Sequence, residues 1–165
     1  MSFSNLLPHP PYAEDQPLAY SILTTHVLHR GFQTGAFLGI PIFLIRHRRQ
    51  VFSSTSSVVR APLVYKFFQR VGVSSLVGTG LLAFALVGRM HGREDIEWRD
   101  RSWRLLENRG QTRADDWSVG GATTALLIAA WRKELRHLGW KGGLGLVGMG
   151  SLSGTIAMLL LHGFG

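Results

Sequence analysis

Residues 71–87 read VGVSSLVGTGLLAFALV, seventeen in a row without an acidic or basic side chain. As a helix this stretch is roughly 26 Å long at about 1.5 Å per residue, close to the roughly 30 Å of hydrocarbon in a bilayer. A helix lying against water would show a polar face every 3.6 residues, and this one has only Ser, Thr and Gly to offer there. The segment is entered through Arg70 and left through Arg89. Its solvent is therefore expected to be lipid.

Three more uncharged runs extend that reading. Gly31–Ile45 lies between Arg30 and Arg46-His47-Arg48-Arg49, Trp117–Trp131 lies between Asp115-Asp116 and Arg132-Lys133, and a final run starts at Gly142. The first and third hold only 15 residues. They reach across a membrane only with flanking residues, whose charged tips return to the headgroups. A soluble bundle could bury any one such segment, but four in a chain of 165 residues favour a multi-spanning protein. The fold expected is all-α and integral to the membrane, with four transmembrane helices in two hairpins. Spans are expected at about 24–46, 63–88, 115–132 and 142–162, with an interfacial helix near 94–109 between the second and third. Residues 1–20 form an extramembrane segment, and 21–165 a single four-helix membrane domain. The five tryptophans agree, since Trp98, Trp103, Trp117, Trp131 and Trp140 sit at span edges or in the central connection.

Small residues at four-residue spacing indicate how the spans pack. Gly31, Gly35 and Gly39 line the first, Ser74 and Gly78 the second, Gly121 and Ala125 (with Ala129) the third, and Gly150 and Gly154 the fourth. Lipid offers little apolar drive for helix association, so close backbone approach must supply it. Gly143-Leu144-Gly145-Leu146-Val147-Gly148 matches G-x-G-x-x-G. No acidic residue follows it, so these glycines read as a helix face and not as a dinucleotide loop.

The net charge of +8 is unevenly placed. If all four segments cross, one side carries ten basic residues and one acid, and the other eight basic residues and nine acids. The first side suits the compartment from which translocation is resisted, which puts the termini and the central connection opposite it. Arg46, Arg48, Arg49, Arg132 and Lys133 are candidates for phospholipid headgroups, cardiolipin among them, and this accounts for the basicity without nucleic acid.

Chemistry finds few handholds. No cysteine is present, which removes disulfides, thiolate metal sites and Cys nucleophiles. There is no G-x-S-x-G, H-E-x-x-H or P-loop. His26, His29 and His162 invite a haem reading, but each lies near the end of a span, where histidine is commonly interfacial. No carboxylate falls inside an uncharged run, and Arg30, Lys66 and Arg70 read as snorkelling. No metal, cofactor or catalytic residue is assigned. No Lys or Arg precedes Arg30, so no Arg-rich presequence is visible.

The central connection, 89–116, holds seven basic and seven acidic residues. Asp95–Arg99, Glu97–Arg101 and Asp100–Arg104 are acid-to-base pairs at i,i+4, the order that supports a helix. Gly110 is expected to stop that helix, and Asp115 or Asp116 to cap the third span. Asp100-Arg101-Ser102-Trp103-Arg104-Leu105, followed by Asn108, Gln111, Arg113, Asp115 and Asp116, is similar to a fungal family of small accessory membrane subunits of mitochondrial complex I. The four spans and the Arg-x-Asp-Asp entry to the third also resemble the inner-membrane translocase (Tim) family. The resemblance implies a non-catalytic subunit of the mitochondrial inner membrane, partnered by other membrane-arm subunits, with its termini in the intermembrane space. Arg101, Trp103, Arg113, Asp115 and Asp116 would then fix the central connection. The alternative is a translocase component, for which a polar cavity open to lipid is expected.

Overall fold

The computed structural model describes residues 7–53, 57–133 and 135–163, without the side chains of 52, 53, 57–61 and 135. The described residues are helical and hold no strand. A short 3-10 turn at Ala13–Asp15 precedes α1 (Ala19–Ser53), α2 (Ser57–Met90), α3 (Asp95–Glu107), α4 (Arg109–Trp131) and α5 (Leu135–His162).

Two of these are long and apolar enough to cross a membrane by length and composition, over Pro62–Met90 (mean hydropathy 1.9) and Arg136–His162 (1.8). Among the described residues, α1 and α4 hold no stretch of that length and apolarity. The reason is legible in their sequences. Arg30, Gln33 and Arg46–Arg49 interrupt α1, and the apolar part of α4 begins only after Asp116.

Small residues set the packing. A methyl group added at Gly31 would stand 2.8 Å from Gly78 O, and one at Gly39 would stand 3.0 Å from Val71 Cα. Gly35 lies against the backbone of Ser74 and Ser75. The α1 stripe thus crosses the Ser74/Gly78 stripe with the two helices antiparallel. Gly121 likewise lies against Gly150 and Gly154, and a Cβ at Gly150 would come within 2.7 Å of Ala125 Cβ, so α4 and α5 form a second antiparallel pair. The hairpins join where α2 meets α5 in parallel, with Gly72 against Gly145 and Ser75 against Gly148. Gly145 and Gly148 lie inside α5, and Gly148 faces Ala36 and Ser75. The sequence stripes do not include this junction.

Polar side chains share the interior with apolar ones such as Ile22, Phe43, Val71 and Met158, while much of the exterior is apolar. The buried side chains include Gln33, Ser75, Ser118 and Ser151. Large apolar groups point outward from every long helix, among them Phe37 and Ile45 on α1, Leu81 and Phe84 on α2, Leu127 on α4 and Leu160 on α5. Phe84 is 81% exposed and Leu160 82%.

The surface helix and its exit differ from expectation. α3 ends at Glu107, and Asn108 makes the break, with a ψ of 91°. Asn108 also caps α4, its Oδ1 accepting from Gln111 N at 3.1 Å. Asn is a strong N-cap because its short side chain reaches a free amide of the next turn. Gly110 therefore lies in the first turn of α4 and stops nothing, while Asp115 and Asp116 stand two turns inside the helix and cap nothing. Asp95–Arg99 (2.7 Å) and Asp100–Arg104 (2.9 Å) pair as expected, but Glu97 pairs backward with Arg93 at 3.2 Å.

The segment before α1 folds back onto α3. Trp103 Nε1 donates to Pro10 O at 2.9 Å, Arg99 donates to Glu14 O at 2.6 Å, and His9 meets Glu107 at 2.8 Å. Tyr20 and Trp98 bring their rings within 4.5 Å.

Candidate functional site

α1 presents His26, His29, Arg30 and Gln33 on one face, because steps of three and four residues return to the same side of a helix. This face meets the start of α4 and the second half of α5. Arg30 Nη2 lies 2.8 Å from Asp115 Oδ1, with its N–H off the line, so charge and not a formed hydrogen bond holds that oxygen. His26 Nδ1 donates to Asp115 Oδ2 at 2.8 Å. Arg30 Nη1 donates to Gln33 Oε1 at 2.8 Å. A guanidinium has only donors, so this contact fixes the amide and turns Gln33 Nε2 the other way.

There Nε2 faces three hydroxyls, Ser118 Oγ at 2.9 Å, Ser151 Oγ at 3.0 Å and Thr155 Oγ1 at 3.1 Å. Two amide hydrogens serve three acceptors, so the cluster shares them. Ser118 and Ser151 bond each other at 2.5 Å, and His29 Nε2 bonds Ser118 at 2.7 Å. The result is one connected polar strip from Asp115 to Thr155 that ties three helices. Hydrogen bonds between helices in lipid contribute roughly 0.6–2 kcal/mol each. Unpaired, the same groups would each cost several.

The strip corrects the sequence reading of these residues. Arg30 does not simply snorkel but is held by Asp115 and Gln33. His26 and His29 are not free interfacial rings, and His162 packs edge-on against Trp117 with centroids 5.6 Å apart. Asp115, expected at a helix cap, is the anion that anchors the cluster. Gln33, Ser118, Ser151 and Thr155 went unnoticed. Their signals were a lone amide inside an apolar run and a Ser/Thr pair at i,i+4, neither of which names its partner. Among the described residues no group of three His, Cys, Asp or Glu could hold a metal ion.

The other predicted residues distribute around this strip. Trp103 holds the N-terminal segment, Arg101 lines a crevice between α1, α2 and α3, and Asp116 lies beside Asp115 on α4. Arg113 is exposed. Arg46, Arg48, Arg49, Arg132 and Lys133 are all exposed at the opposite end. Exposed Trp131 and Trp140 flank them, with Lys141 Nζ 5.4 Å from the Trp140 ring centroid. Arg60 belongs to that end by sequence, but its side chain lies outside the described residues.

Chemically the strip can hold helices in register, and its outer end, His26, His29 and Asp115, lines a cavity of about 440 Å³ walled by Ile22, Leu105 and Val119. Ser118, the hydroxyl beside a histidine, is fully buried. A groove of about 710 Å³ between α2, α4 and α5 is lined mainly by Gly, Ala and apolar residues, including Phe68, Gly121, Ile128, Leu146 and Gly154. Set against protein-family models and curated proteins, the chain matches none.

Proposed function

We propose that this chain is a four-span, non-catalytic accessory subunit of the membrane arm of mitochondrial complex I, which braces neighbouring spans and supports assembly. The observation that carries the membrane reading is the apolar exterior, with Phe37, Phe84, Leu127 and Leu160 exposed around an interior that the hydrogen-bonded Gln33, Ser118 and Ser151 share with apolar groups. A soluble monomer does not leave apolar surface like this on every long helix. In lipid it costs nothing, while the internal hydrogen bonds and the glycine crossings hold the bundle together.

On this reading α1 and α4 also span. Arg30 and Asp115 neutralise each other, which lowers the cost of placing either near the hydrocarbon edge. The exposed Arg46, Arg48, Arg132 and Lys133, with Trp131 and Trp140 beside them, form the headgroup belt on the side where basic residues are retained. The inner membrane and complex I rest on the similarity of residues 100–116 to the fungal accessory subunits. The geometry adds that Trp103 and Asp115 in this segment brace the chain itself. An accessory role is favoured over translocation because the interior between α1, α4 and α5 is filled by the Gln33 cluster and the groove between α2, α4 and α5 is apolar.

The test is co-migration. After extraction in mild detergent, the tagged chain should run with NADH dehydrogenase subunits on native gels and be captured with them. Migration alone, or capture with import components, contradicts the assignment.

A further inference from the structure

Arg89 closes the apolar run of α2, and Arg101 and Arg104 stand on the facing side of α3. The three guanidinium-bearing residues line one crevice of about 530 Å³, whose deeper walls are Leu23 and Val27 of α1 and Leu82 and Leu86 of α2. Arg104 is engaged by Asp100 at 2.9 Å. Arg89 and Arg101 make no ion pair or hydrogen bond among the described residues, and no acidic side chain lines the crevice. From Arg89 to Leu82 the wall extends about 10 Å at about 1.5 Å per residue. A cationic mouth above an apolar slot fits a molecule with an anionic head and a hydrocarbon tail.

We propose that this crevice binds one anionic phospholipid, its phosphate held by Arg89 and Arg101 and one acyl chain laid between α1 and α2. The position agrees with the chemistry. Arg89 follows Val87 at the end of a membrane-length apolar stretch, at the depth where phosphates lie. Guanidinium groups bind phosphate oxygens in pairs, which a zwitterionic head with its own cation offsets. The site is distinct from the basic belt at the other end of the bundle, and it lies on the side whose overall charge is slightly acidic. The inference rests on the membrane reading but not on the complex I assignment.

The full chain, purified in detergent, is mixed with phosphatidic acid or with phosphatidylcholine of the same acyl chains, and bound lipid is counted by native mass spectrometry. Phosphatidic acid should be retained over phosphatidylcholine. Arg89→Gln and Arg101→Gln should each lower its retention about fivefold, the scale of one basic residue at an anionic surface. Arg113→Gln, an exposed arginine nearby, should leave it unchanged. Leu82→Trp, which fills the slot and keeps both charges, should also reduce retention. Equal retention of the two lipids overturns the proposal, as does an equal loss in Arg113→Gln. Displacement of the lipid by inorganic phosphate at matched concentration would show that the site reads phosphate without a tail, and would overturn it too. A chain that stays soluble without detergent overturns both this site and the membrane reading, whereas an embedded chain with no lipid preference overturns the site alone.

Discussion

Replacing Asp115 by Asn keeps the size of the side chain and removes its charge, which leaves Arg30 and His26 facing a neutral amide. Breaking an ion pair deep inside a protein costs about 3–5 kcal/mol. The Arg30 and Asp115 side chains retain 27% and 30% of their exposure, so the expected loss is smaller, about 1–2 kcal/mol. Thermal unfolding in detergent should show it, and Arg30→Gln should add on top of Asp115→Asn only the loss of its hydrogen bond to Gln33, about 1 kcal/mol. Additive losses would mean that the two charges do not act as a pair. Gln33→Leu removes the amide that joins α1 to α4 and α5, and about 1 kcal/mol should go with it. Tyr20 supplies a pH signature outside the spans. Its hydrogen bond to Asp95, helped by that carboxylate's charge, raises the phenol above its ordinary 10.0. The contact is intact below pH 10 and is lost as pH climbs through the raised value, so the difference titration between wild type and Tyr20→Phe should have its midpoint above 10. A midpoint at or below 10 would exclude the contact.

At the scale of elements, the crossings are held by positions where no side chain fits. Gly35→Leu drives a side chain into the backbone at Ser74 and should separate α1 from α2, and Gly121→Leu should do the same for α4 and α5. Each should cost at least about 2 kcal/mol by overpacking. Gly80→Leu meets open space and should be silent, and comparing the three by thermal unfolding in detergent separates crossing from composition. Trp103→Ala should free the segment around Pro10 to proteolysis while the helices stay folded. Much of this was legible in the sequence. The α1–α2 and α4–α5 stripes are periodic within one helix, so spacing alone exposes them. The α2–α5 junction was not, because Gly72 and Gly145 are single positions on helices far apart in the chain. The polar strip was hidden for the same reason. Gln33 looks like an isolated blemish in an apolar run until α4 and α5 bring it three hydroxyls. The helix break also went to Asn108 and not Gly110, because a side chain that caps the next helix outweighs a glycine's freedom.

The whole molecule works as proposed only if all four long helices lie in hydrocarbon. α2 and α5 meet that description by composition, so α1 and α4 decide the matter. The chain contains no cysteine, so single cysteines can be introduced without background. The most direct measurement is the rate at which a water-soluble maleimide labels cysteine at Phe37 on α1 and at Leu127 on α4 in intact membranes, compared with Lys133→Cys at the basic end. Thiols in lipid do not form the reactive thiolate, so positions 37 and 127 should stay unlabelled until detergent and denaturant are added, while position 133 reacts once its side is opened. Labelling at 37 and 127 as fast as at 133 would place α1 and α4 in water and contradict the four-span account.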